Sequence, residues 1–68
     1  MFKNLNAELS RIGMKTEAFA RYLGVSKKTA NNKLTGRTEF TLSEIEKVSS
    51  LFPNMSIDYL FYRDRATA

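Results

Sequence analysis

The chain has 68 residues, with 11 Lys and Arg against 7 Asp and Glu, a formal charge of +4 and 43% apolar residues. It contains no cysteine and no histidine, which excludes disulfides, thiolate or imidazole metal sites and the commonest general base. A chain this short supports one domain around one apolar core, close to the lower size limit for folding without staples, and its basic balance favours phosphate-rich partners.

No apolar run approaches the ~20 residues of a membrane span, and Met1-Phe2-Lys3-Asn4-Leu5-Asn6 lacks the apolar stretch of a secretory signal. The expected location is the cytoplasm, without a membrane partner. Glycines at 13, 24 and 36 and the single proline, Pro53, divide the chain into short segments of helical periodicity.

The first helix is predicted from about Lys3 to Ile12, with Phe2, Leu5, Leu9 and Ile12 inward and Gly13 as its stop. Thr16 is the expected N-cap of the second, Glu17 suits its positive end, and Phe19, Ala20 and Leu23 form its inner face. Ser26 is the expected cap of the third, which runs through Lys27-Lys28-Thr29-Ala30-Asn31-Asn32-Lys33-Leu34 and stops near Thr35-Gly36. Only Ala30 and Leu34 on it are apolar, four residues apart on one side. Thr41-Leu42-Ser43-Glu44 reads as a capping box for a fourth helix with Leu42, Ile45, Val48 and Phe52 inward, broken at Pro53. A short fifth helix spans Ser56 to about Tyr62, carrying Ile57, Leu60 and Phe61. Nothing alternates with period two, so no strand is expected. The fold class is all-α, a compact bundle of five short helices over 1–62, followed by a flexible tail over 63–68.

The stretch from Thr16 to Lys33 sets two short helices across a tight turn, a helix-turn-helix pattern. Steeply crossing helices need a small residue where they touch, which is Ala20. The turn needs a residue that accepts positive φ, which is Gly24, and Val25 plugs the corner before the Ser26 cap. Ala30 lets the third helix sit low on the core. At about 100° per residue, Lys28 and Asn32 then lie nearly opposite the buried side, flanked by Lys27 and Asn31 on one side and Thr29 on the other.

The run Thr16-Glu17-Ala18-Phe19-Ala20-Arg21-Tyr22-Leu23-Gly24-Val25-Ser26-Lys27-Lys28-Thr29, continued by Lys33-Leu34-Thr35-Gly36-Arg37-Thr38-Glu39-Phe40-Thr41-Leu42, resembles the lambda-repressor and Cro family of helix-turn-helix regulators. Its second half looks like a variant common in phages of Gram-positive bacteria, and the resemblance covers roughly residues 3 to 61. Two positions depart from the family's pattern. Thr16 stands where a glutamine often grips a phosphate, and Lys33 stands where a buried aliphatic residue is often found.

The resemblance implies a transcriptional regulator whose third helix enters the major groove of a double-stranded operator. Carried across, its base contacts are Lys27, Lys28 and Asn32. Asn31 joins them on the same polar face, unless Asn31-Asn32 marks a helix end. Lysine donates to guanine O6 and N7, and asparagine makes a bidentate contact to adenine. The phosphate candidates are Lys33, Thr35, Arg37 and Thr38 at the helix end and loop, with Thr29, and with Thr16 and its helix N-terminus on the other flank. Arg37 has an alternative partner in Glu39.

The crowded C-terminal segment suggests a homodimer on DNA through Ile57, Tyr59, Phe61 and Tyr62, which would place two recognition helices roughly 34 Å apart. Alternatively, Leu60 and Phe61 only close the core. A second reading is a protein-interaction module, an antirepressor that binds another phage repressor with the same fold. The acids Glu8, Glu17, Glu39, Glu44, Glu46, Asp58 and Asp64 are scattered, and no phosphate loop or nucleophile motif occurs. No enzyme activity, cofactor or metal is therefore expected.

Overall fold

A computed structural model describes residues 1–63. Among them the chain forms α1 (Lys3–Arg11), α2 (Thr16–Leu23), α3 (Lys27–Thr35), α4 (Leu42–Leu51) and α5 (Ile57–Leu60), and no strand. The all-α reading therefore holds. None of the described helices is long and apolar enough to cross a membrane.

α1 begins after Phe2 with no side-chain cap, and the four helix starts after it follow the local chemistry with one exception. Ser26 Oγ accepts from the Thr29 N–H at 3.1 Å, and Ser56 Oγ accepts from the Tyr59 N–H at 3.0 Å. Thr41 and Glu44 complete the capping box reciprocally, at 3.2 and 2.9 Å. The exception is α2. Its N-cap is Lys15 rather than Thr16, which is already the first helical residue, and no side chain caps that end.

One core joins all five elements, from Phe2, Leu5 and Leu9 through Phe19, Ala20, Leu23, Ala30 and Leu34 to Val48, Phe52 and Leu60. Phe2, Phe40 and Phe61 meet edge-to-face at one end, with ring centroids 5.1–5.7 Å apart. Two residues expected in the core are outside it. Ile12 is 50% exposed, because it follows the last turn of α1 as the chain leaves the core. Leu42 is 73% exposed, because it opens α4 before that helix reaches the core at Val48, and Ile45 between them is only half-buried.

A charged residue takes a place inside. Glu8 on α1 is buried, accepting a 2.8 Å hydrogen bond from Tyr59 Oη, with Arg11 Nε 3.3 Å from its other oxygen. Asn4 Nδ2 also donates to the Tyr59 carbonyl at 2.9 Å, so α5 is tied to α1 by polar contacts as well as through Leu60. The hydrogen bond to the Glu8 carboxylate holds the Tyr59 phenol above its ordinary pKa, because ionisation would place two anions side by side.

The boundary of the expected tail is corrected at its first residue. Arg63 is half-buried, stacks over the Phe2 ring at 5.2 Å and donates to the Gly36 carbonyl at 3.2 Å. The rest of that tail, 64–68, lies outside the described residues.

Candidate nucleic-acid interface

α2 and α3 pack on each other more extensively than any other two elements. The crossing follows from the small residues: Ala20 is 4% exposed and Ala30 is fully buried. Gly24 turns the chain between the helices at φ 78°, ψ 31°, in the left-handed region, and its N–H closes on Ala20 and Arg21. Val25 packs against the core at the corner, as the sequence suggests.

α3 is thus fixed by very little apolar surface, and most of its circumference is free. Lys27, Lys28, Asn31 and Thr35 are exposed, and Asn32 is half-buried at the edge of the face. No described residue hydrogen-bonds or pairs with the side chains of Lys27, Lys28, Asn31 or Asn32. The expected polar face therefore exists as a surface, with Lys28 near its centre. The helix continues to Thr35, so Asn31-Asn32 lies within it rather than at its end.

The helix closes at Gly36, φ 89°, with the Arg37 N–H on the Asn32 carbonyl at 2.8 Å. Arg37 and Thr38 follow, both exposed. Arg37 forms no ion pair with Glu39 or any other described residue.

The expected phosphate contacts divide once side chains are in place. Lys33 is turned inward: it is 8% exposed, and its Nζ lies 2.8 Å from Glu44 Oε1, 3.0 Å from the Glu39 carbonyl and 5.9 Å from the centre of the Phe40 ring. The ammonium's partners are inside the protein, so its assignment to a phosphate is withdrawn. Thr35 Oγ1 donates back to the carbonyls of Asn31 and Asn32, at 3.0 and 3.2 Å. Because phosphate oxygens only accept, this hydroxyl has to give up that bond to reach one. Thr29 Oγ1 accepts from Ser26 Oγ at 3.0 Å and keeps its own proton to donate. Thr16 is half-buried at the uncapped end of α2, where first-turn N–H groups lack a side-chain partner and Lys15 is exposed.

Glu44 is the residue of this region that its capping role concealed. Burial works against its charge. The hydrogen bond from Lys33 and the bond to Thr41 N–H, with the Lys33 charge, outweigh that and hold the carboxyl below its ordinary value of 4.5. The one sequence signal for its second role was a lysine at a position that the helix geometry buries.

The C-terminal candidates are scattered by the fold. Phe61 is half-buried in the aromatic cluster with Phe2 and Phe40, so the expectation that it forms a dimer contact is corrected to a core role. Tyr59 is committed to α1 at both its hydroxyl and its carbonyl, with 40% of its surface exposed. Ile57 and Tyr62 remain 46% and 62% exposed. Among the described residues no three His, Cys, Asp or Glu gather as a metal-binding group would.

No curated protein and no solved structure matches the chain. The model of the BetR domain family matches it over residues 3–68, a span that contains both helices of the turn and the whole polar face of α3. The chain belongs to the BetR domain family, helix-turn-helix DNA-binding regulators of phages and bacteria.

Proposed function

We propose that the protein is a sequence-specific transcriptional regulator of the phage repressor or Cro kind that reads an operator with α3 in the major groove. The observation that carries this reading is the outward face of α3. It is polar and largely exposed, the side chains of Lys27, Lys28, Asn31 and Asn32 have no partner among the described residues, and Lys27, Lys28 and Arg37 lie in a span, 27–37, that contains no acid. In this reading Lys27, Lys28, Asn31 and Asn32 meet base edges. Arg37 and Thr38 meet the backbone beyond the helix, while Thr16 and the first turn of α2, with Thr29, meet it on the other flank. The protein is a binding protein working in the cytoplasm, with no catalytic step of its own.

A two-fold dimer on a palindromic site is part of the proposal. Its supporting feature is the exposed apolar surface of Ile57 and Tyr62 beside the outer side of Tyr59. The antirepressor reading would use the same surface against another regulator, and no observation favours it over self-association.

Selection on random duplexes, followed by titration of the selected site, tests the function. A single preferred motif is expected, with affinity that falls steeply as salt rises, since each phosphate contact releases counterion. No duplex affinity at low ionic strength would refute it.

A further inference from the structure

Lys33 and Glu44 join the end of the recognition helix to the start of α4 across the loop 36–41 that carries Arg37 and Thr38. Both side chains are almost buried, 10% and 12% exposed. One oxygen, Glu44 Oε1, accepts from Lys33 Nζ at 2.8 Å and from the Thr41 N–H at 2.9 Å. Lys33 Nζ also donates to the Glu39 carbonyl at 3.0 Å and faces the Phe40 ring. Two of the ammonium's three protons are therefore spent on one carbonyl within this loop, that of Glu39, and on a carboxylate in the first turn of the helix that follows it. The loop is further anchored by the Thr41 hydroxyl on the Glu44 N–H, by Phe40 in the aromatic cluster and by Arg63 on the Gly36 carbonyl.

A buried pair of this sort contributes little net stability, since desolvating two charges offsets most of their attraction. What it does supply is a fixed arrangement, because an ammonium with directed partners defines a geometry that a methylene chain would not.

We propose that Lys33 and Glu44 are positioning residues for DNA binding: without touching the duplex, they set the shape of residues 36–41 so that Arg37 and Thr38 are presented to the backbone beside α3. The inference rests on the DNA-binding reading above. It reverses the role that a lysine on a recognition helix would ordinarily be given.

The test compares Lys33→Met/Glu44→Gln with both single variants, using the selected operator duplex. The double variant keeps the net charge at +4, so long-range attraction is unchanged. Glutamine preserves the capping box of α4, and methionine fills the volume of the lysine stem. Helix content and Tm are expected to stay near wild type. Affinity should fall about fivefold, the usual scale for a residue coupled to a ligand it does not contact, and the slope of log affinity against log salt should become shallower. Glu44→Gln alone should weaken binding as well. If Lys33 were a direct phosphate ligand, Glu44→Gln would tighten binding by removing a competing anion, and Lys33→Met alone would reduce the slope by about 0.9. That pair of results overturns the proposal, as does wild-type affinity in the double variant. The free protein separates this inference from the DNA reading: the amide NMR signals of residues 36–41 should move in the double variant. Unmoved signals overturn the assignment whatever the DNA result.

Discussion

The two helices of the turn are nearly equal in length and opposite in use. α2 (Thr16–Leu23) gives Phe19, Ala20 and Leu23 to the core and is amphipathic throughout. α3 (Lys27–Thr35) gives two apolar residues, Ala30 and Leu34, and secures its last turn with an ion pair where a further apolar side chain would ordinarily sit. Apolar packing holds α2 in place. α3 is held by just enough buried surface to fix its axis, which leaves the rest of it free to be polar. A helix that must present side chains to a groove has to withhold them from its own core, and the cost is borne by the neighbouring helix and by α4.

The comparison breaks most visibly at Phe19, which is fully buried. Phe19→Ala should cost about 3–5 kcal/mol, enough to unfold much of a domain this small, as read by urea denaturation. On the other helix, Lys28→Ala with Asn32→Ala should leave the denaturation midpoint unchanged. It should remove about 1–3 kcal/mol of base discrimination for each bidentate hydrogen-bond pair abolished, measured by competition against a mutated operator. Equal loss of stability in the two experiments would erase the distinction between the helices.

A smaller effect sharpens the geometry between them. Nothing lies within 4 Å of a Cβ built on Gly24, so Gly24→Ala meets only the strain of φ 78°. The expected cost is about 1 kcal/mol, with DNA affinity falling no further than the loss of folded protein explains. The smallest effect is acid sensitivity at Glu44. Its folded pKa lies below the ordinary 4.5. Its contribution is therefore fully present above that value and is lost as pH falls through the lowered one. Wild type should lose more stability than Glu44→Gln as pH falls below the ordinary 4.5, as measured by denaturant midpoints; equal losses would mean that the pair contributes nothing.

Much of this was legible in order along the chain. Ser26, Thr41 with Glu44, and Ser56 mark helix starts because a short oxygen side chain bonds its own backbone two or three residues on, which is local chemistry. Gly24 and Gly36 mark helix ends for an equally local reason, and the spacing of Ala20, Gly24, Val25, Ser26 and Ala30 carried the helix-turn-helix pattern and the exposed face of α3. Periodicity failed at helix ends. Ile12 and Leu42 have the right spacing, but they lie a turn beyond the core's edge, and spacing alone does not reveal where the edge falls. Phe61 was ambiguous because an aromatic side chain suits an interface and a core equally well.

The sequence by itself determined the five helices, the caps at Ser26 and Thr41 and the polar stripe after Gly24, since each depends on residues within about one turn of one another. Only the tertiary structure decided which charges face water. Lys33 and Lys28 are five residues apart on one helix and chemically identical. One is buried against Glu44 and the other is free, because the packing of α4 selects between them. Glu8 met the same fate through Tyr59, far along the chain. A side chain's role depends on partners that the fold brings close, and those partners are not its neighbours in sequence.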